Sequence, residues 1–339
     1  MTSVSNVLVT GGAGYIGSVL VPLLLEAGYS VTVLDRFFFG PTLAPHPRLT
    51  LWRADVRDFD PDLLRGFQAV IDMAALSNDP AGELDPENTL AINFQGRARV
   101  AREAKAHGVE RYLLASSCSI YGFREGTVDE STPASPLTTY ALANQKAEEA
   151  ALALAGPDFV VTVLRQATVY GLSPRMRFDL AINGMVLGQW QNHQIPVLRD
   201  GNQWRPMVHV RDTSRAFMRV LGSPPEDVNG EIFNVGGDEQ NFQILSLAER
   251  VAQALGEEFV PAWYGEPDHR SYRVSFAKIK ERLDFRPALT PEDAAHEIAE
   301  ALTSGLVTPD TRTRTVEWYK QLIYWHQILR EVELDGRLI

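Results

Sequence analysis

Residues 7–17 read VLVTGGAGYIG, an apolar run that breaks into glycines and resumes as a helical pattern. Val7, Leu8 and Val9 form the continuous, β-branched run expected of a strand covered on both faces. Beyond the turn, Val19, Leu20, Leu23 and Leu24 recur at helical spacing until Gly28. Gly11, Gly12, Gly14 and Gly17 satisfy both G-x-G-x-x-G and G-x-x-G-x-x-G. Such a turn lets a pyrophosphate lie against bare backbone at a helix N-terminus, where N–H groups and the macrodipole favour negative charge. A side chain at Gly14 would obstruct that approach, and one at Gly17 would push helix and strand apart. The following segment, SVTVLD, ends in Asp35. That carboxylate falls close to the offset of about 20 residues at which an acid receives the adenosine ribose hydroxyls.

The chain has 339 residues, of which 45% are hydrophobic, so a sizeable core is available. Its formal net charge of −11 argues against nonspecific nucleic-acid binding and leaves any anionic ligand to local groups. No charged leader with an apolar core opens the sequence, and no apolar run approaches bilayer length. The expectation is a soluble, cytoplasmic protein with no membrane partner. Cys118 is the only cysteine, which rules out an intrachain disulfide and a cysteine-based metal cluster, and no metal is expected.

Strand-like runs at 6–10, 30–35, 49–52, 69–74, 111–116 and 159–165 alternate with helical patterns at 15–27, 88–107 and 139–155. This alternation predicts an α/β fold: a Rossmann-type doubly wound parallel sheet, with ligands beyond the carboxyl ends of its strands. After about residue 166 the texture changes, with more Pro, Trp and Arg and with helices expected at 212–221, 244–255, 291–303 and 314–332. We therefore divide the chain into a dinucleotide-binding domain over 1–166 and a smaller mixed α/β substrate lobe over 167–339, with segments free to cross between them. The closing stretch is expected to turn Trp318, Tyr319, Leu322 and Trp325 towards the lobe.

Chemistry gathers at ASSCSIYG (115–122) and TTYALANQKAEEA (138–150), a serine ending a central strand and a tyrosine opening the next helix. With TGGAGYIGS (10–18), LDR (34–36), ADVRD (54–58), MAALS (73–77), IN (92–93), Tyr140 and VHVRD (208–212), these motifs resemble the extended short-chain dehydrogenase/reductases. Within that superfamily the chain is most similar to the NAD-dependent sugar-nucleotide epimerases and dehydratases, of the UDP-galactose 4-epimerase type. The resemblance implies NAD as cofactor, a nucleotide sugar as substrate and a homodimer joined through 88–107 and 139–155, where Ala141, Ala143, Ala147, Ala150 and Ala151 would permit close helix approach.

The same resemblance implies Ser117, Tyr140 and Asn144 as catalytic positions, with Ser117 holding a sugar oxygen and Tyr140 exchanging a proton as acid and base. Cofactor contacts are implied for Gly11, Gly14, Tyr15, Ile16, Gly17, Asp35, Arg36, Asp55, Val56, Met73, Ala74, Ala75, Ser77, Asn93, Ser116, Gln166 and Thr168, besides Tyr140 and Asn144. Substrate contacts are implied for Ser117, Ser119, Arg175, Asn183, Arg205, Arg270 and Arg273. Asp35 favours NAD, because a carboxylate there repels the extra phosphate of NADP.

Two departures from the family pattern matter. The family carries Tyr-x-x-x-Lys, and four residues past Tyr140 stands Asn144. Lys146 lies about 240° around the helix from Tyr140 and points elsewhere. A phenol of pKa about 10 is only ~0.1% ionised at pH 7, and a cation about 4 Å away is worth roughly three pKa units. Asn144 can hydrogen-bond the nicotinamide ribose but supplies no charge. The resemblance implies an NAD-dependent nucleotide-sugar epimerase acting at C4 through a transient 4-keto sugar, with a net sugar reductase or dehydrogenase and, because of Asn144, a slow or noncatalytic NAD-binding member as the alternatives. The second departure is that Cys118 and Ser119 follow Ser117, where the family's 4,6-dehydratases place Asp-Glu, so dehydration is disfavoured.

Overall fold

The computed structural model describes residues 4–268 and 270–337. Seven parallel strands form the central sheet: β1 (Asn6–Thr10), β2 (Ser30–Asp35), β3 (Leu49–Arg53), β4 (Ala69–Asp72), β5 (Arg111–Ser117), β6 (Val160–Gln166) and β7 (Glu231–Val235). Their order is β7-β6-β5-β4-β1-β2-β3. The order reverses between β1 and β4, so a crevice opens at their carboxyl ends, where ligands of doubly wound sheets sit.

Both faces of the sheet are dry because successive apolar residues alternate across it. Val7, Val9, Val31, Val33 and Leu113 enter one core, while Leu8, Leu34, Val70, Tyr112 and Leu114 enter the other. The helices concerned here are α1 (Gly17–Glu26), α2 (Arg97–Ala106), α3 (Thr139–Leu152), α4 (Ala181–Asn192), α5 (Val210–Leu221), α6 (Ile244–Ala254), α7 (Pro291–Thr303) and α8 (Thr315–Val332). A separate core joins Ile182, Val186, Leu247, Val251, Ala294 and Ile298 on α4, α6 and α7.

The chain returns to the first unit after residue 166. β7 extends the sheet beside β6, and Phe217, Phe233, Phe276 and Ile279 complete its core. The closing helix α8 also reaches back. Trp318 donates its indole N–H to the Phe38 carbonyl at 2.7 Å, and the Tyr319 ring packs on Phe38 and Phe39. Trp325, expected against the lobe, is 45% exposed. Ala141, Ala143, Ala147 and Ala151 are buried within the chain, where their small side chains let α3 lie close to its own sheet. Ala150, the remaining alanine of that set, is half-buried. Among the described residues no helix is long and apolar enough to cross a membrane.

Candidate active site

The glycine turn is shaped as a cradle. Gly11 has φ +67°, donates its N–H to the Leu34 carbonyl at 2.9 Å, and leaves only 2.8 Å between an added Cβ and the Ala74 main chain. A Cβ on Gly17 would stand 2.5 Å from the Gly12 Cα. Any larger residue at either position displaces main chain. Ile16 caps α1 without a side-chain hydrogen bond, and the first turn has no acidic residue. Its Ser18 and Val19 N–H groups go to the Gly14 and Ile16 carbonyls, at 2.9 and 3.0 Å, and no side chain caps this positive end of the helix.

Asp35 ends β2 beside this turn. Its carboxylate accepts N–H bonds from Ala13 at 3.0 Å and Phe37 at 2.7 Å, while burial raises its pKa. Arg36 and Arg57 both bind Asp55, at 2.5 and 2.8 Å, and Arg57 in particular holds that carboxyl well below the usual range. Val56 is buried beside them. Past β4, Met73 and Ala74 donate N–H bonds to Thr10 Oγ1, at 3.1 and 3.2 Å, which ties the segment leading into Ala75 to the carboxyl end of β1.

Several residues expected at the cofactor are instead engaged elsewhere. Asn93 clamps the Leu76 main chain at both ends of its amide, at 2.8 and 3.0 Å. Ser116 donates its hydroxyl to buried Glu148, and the Gln166 side chain binds Thr213 and the Leu164 carbonyl. Ser77 accepts from Arg177, which also pairs with Asp179 at 2.6 Å. Asn93, Ser116 and Gln166 are buried behind these contacts, whereas Ser77 is exposed. Thr168, by contrast, is half-buried on a short strand (Thr168–Tyr170) paired with Trp204–His209.

Ser117 and Tyr140, the pair expected to react, are brought together. Ser117 ends β5, and its Oγ accepts the Ser119 N–H at 3.1 Å. Thr138 caps α3 by accepting the Ala141 N–H at 3.1 Å, which sets Tyr140 in the first turn. Burial raises the Tyr140 pKa and the Asp79 carboxylate adds to the rise, while the Arg97 charge and hydrogen bonds from Ser117 and Asn144 lower it. Asn144 is 1% exposed; its Oδ1 accepts from Arg97 at 3.0 Å and its Nδ2 donates to the Tyr140 carbonyl at 3.1 Å. Its amide therefore faces the protein and not a ribose. Lys146 is exposed over the Phe94 ring. Cys118 is buried with its thiol on the Arg165 carbonyl, and burial pushes the thiol far up. The Ser119 hydroxyl is buried without a partner among the described residues.

Arg205 and Arg270 converge on Asp268, both at 2.7 Å, and Arg270 also pairs with Asp79. Arg273 stacks on Trp204 instead. Asn183 does not face this cluster. It is fully buried, accepting from the Gly171 N–H and donating to the Tyr15 hydroxyl and the Arg177 carbonyl. Arg175 lies 3.6 Å above the Phe39 ring, with Nη2 on Thr315. Burial pushes its pKa down to about 9, its Nε and Nη1 have no partner among the described residues, and its charge lowers the pKa of Asp35. Sequence reasoning missed Arg97, Asp72, Asp79 and Asp268. Arg97 did leave a signal, because it heads the buried stripe Arg97, Val100, Ala101 and Ala104.

A model of the NAD dependent epimerase/dehydratase family matches residues 7–236. A protein of Bacillus subtilis named an uncharacterized UDP-glucose epimerase is 29% identical over 313 residues, 87% of this chain and 97% of that protein. The dTDP-glucose 4,6-dehydratase of Streptomyces niveus is 30% identical over 348 residues, 96% of each chain. Among solved structures, MoeE5 in complex with UDP-glucuronic acid and NAD superposes with a TM-score of 0.80 at 27% identity, covering 89% of this chain and all of that one.

Proposed function

This chain belongs to the NAD-dependent epimerase/dehydratase family, and from that membership we propose that it epimerises a nucleotide-activated hexose at C4 through a transient 4-keto sugar. It is an NAD-dependent enzyme of the nucleotide-sugar class. The observation that carries the finer reading is the Ser117–Tyr140 pair beside residues Cys118 and Ser119, neither of them a carboxylic acid. The glycine cradle, the uncapped start of α1 and the Asp35 carboxylate fit NAD.

When bound, NAD supplies the acceptor of a hydride in the outward half and the donor in the return half. Tyr140 takes the proton of the sugar hydroxyl as its carbon is oxidised and gives it back on return. Ser117 holds the sugar oxygen by a hydrogen bond. Ser119 offers a buried hydroxyl to the same substrate. Arg205 and Arg270 supply the cationic donors for the diphosphate, which would compete with Asp268 and Asp79 for them.

A dehydratase needs an acid and a base to remove water, and the dehydratase-named relative does not bring them to this chain. The test is to identify the cofactor released on heat denaturation, then incubate the protein with UDP- and dTDP-hexoses. Interconversion of C4 epimers without accumulation of NADH is expected. A 4-keto-6-deoxy product, or NADH formed in proportion to product, would overturn the epimerase reading.

We also assign Arg175 to the cofactor. Its Nε and Nη1, without partners among the described residues, and its influence on Asp35 support this reading of a buried cation at the adenosine end. Arg175→Leu is expected to weaken NAD binding by at least about tenfold, since a hydrogen bond from a charged donor contributes roughly 1.5–3 kcal/mol. Calorimetric titration with NAD measures this, and an unchanged affinity would return Arg175 to a packing role.

A further inference from the structure

We propose that Arg97 is the buried cation of this active site, acting on Tyr140 through the Asn144 amide in place of a lysine on the tyrosine's own helix. The inference rests on the reading of Tyr140 as the acid and base. Arg97 comes from α2, across the crevice wall from α3, and is 1% exposed. Its Nη1 donates to Asn144 Oδ1 at 3.0 Å, and its Nη2 donates to the main-chain carbonyls of Asp72, at 3.2 Å, and Ala115.

This geometry makes the departure at Asn144 intelligible. A guanidinium only donates, so the end of the Asn144 amide that meets it must be the oxygen. The N–H₂ end is thereby turned towards Tyr140: it donates to that residue's main-chain carbonyl at 3.1 Å, and the Asn144 hydrogen bond to the phenol lowers its pKa, as the Arg97 charge does. A lysine at position 144 would instead bring two cations together in a dry pocket. The arginine and the asparagine are thus compatible as a pair, whereas the arginine and a lysine at position 144 are not.

Asp72 limits the effect without abolishing it. Its Oδ1 stands 3.8 Å from the Arg97 Nε, which has no hydrogen-bond partner among the described residues. The carboxylate is itself held by Thr10 Oγ1 and the Tyr112 hydroxyl, both at 2.5 Å. The two terminal nitrogens of Arg97 therefore face neutral acceptors, one of them Asn144. Other charges bear on Tyr140 as well. Asp79 opposes Arg97 but is tied to Thr138 and Arg270, and Glu83 accepts the Thr139 N–H at the start of α3. Further along α3, Glu148 is paired with Arg165.

The test is the alkaline absorbance titration of the NAD-supplemented protein, with the Tyr140 transition isolated by subtracting Tyr140→Phe. In Arg97→Met that transition should rise by about one pH unit, the low end expected for loss of a nearby opposite charge. Arg97→Lys should hold it near the wild-type midpoint. Asn144→Lys alone should destabilise the protein, and Arg97→Met combined with Asn144→Lys should restore the midpoint. Should Arg97→Met fail to fold, Asn144→Leu keeps Arg97 on Asp72 and the two carbonyls and should reproduce the rise. A wild-type midpoint in folded Arg97→Met or Asn144→Leu overturns the proposal. Wild-type turnover of UDP-glucose by Tyr140→Phe would instead overturn the reading of Tyr140, whatever the titrations show.

Discussion

Tyr140→Phe is expected to lower turnover by about 10²- to 10⁴-fold, the range of a lost general acid–base group, while NAD stays bound. The ring keeps its place, because α3 is fixed by the Thr138 cap and by alanines packed on the sheet. Only the hydroxyl is removed, and with it the atom on which Ser117, Asn144 and Arg97 act. The wild-type enzyme should show a related pH dependence. Burial raises the Tyr140 pKa, so at neutral pH the phenol is mostly protonated and the oxidising half-reaction waits on its minor, ionised form. The rate should therefore climb as pH rises towards the phenol's pKa, and that climb should vanish in Tyr140→Phe. Turnover of a C4-epimer pair measured across pH in both proteins checks the two statements together. A variant with wild-type rate would shift the proton transfer to another group.

The dinucleotide-binding half was legible because its determinants are local. A strand that ends in glycines at a set spacing can only turn tightly, and the structure shows what each glycine avoids: Gly11 the Ala74 backbone, Gly17 the Gly12 backbone. Asp35 follows from the same local logic, lying at the carboxyl end of the next strand. What escaped was long-range. β7 lies 65 residues beyond β6 in the chain, and nothing within EIFNV announces which edge it will join. Asn183 carries no mark that its amide will be used up by Tyr15, Gly171 and Arg177.

Arg97 is the instructive omission. Along α3 helical phase discards Lys146, but charge reaches a site through space. α2 delivers it directly after the π-helical stretch Ala91–Gly96. An arginine on the stripe with Val100, Ala101 and Ala104, and an aspartate ending the buried run AVID, were both out of place for a core. Two opposite charges at buried positions implied each other, though not their neighbour Asn144.

The largest loss of stability is expected from Glu148→Ala. Glu148 and Arg165 are 3% and 6% exposed, and their side chains meet through Nε and Nη2, the latter at 2.7 Å. The same carboxylate accepts the Ser116 hydroxyl, and Arg165 continues to the Tyr121 hydroxyl, which binds Asn234 at 2.8 Å. One network thus ties α3 to β5, β6 and β7 beneath the reacting residues. Removing Glu148 strands a guanidinium in a dry interior, and breaking a buried pair in this way costs about 3–5 kcal/mol. Urea unfolding should show that loss as a fall in the midpoint, whereas replacing both partners by apolar residues of similar volume should restore most of it. The asymmetry is the point of the measurement: a lost attraction would fail equally in the single and double variants, whereas an uncompensated charge is relieved only when it too is removed. A single variant with an unchanged midpoint would mean that water reaches Arg165, and the network would then be a surface pair without weight in the fold.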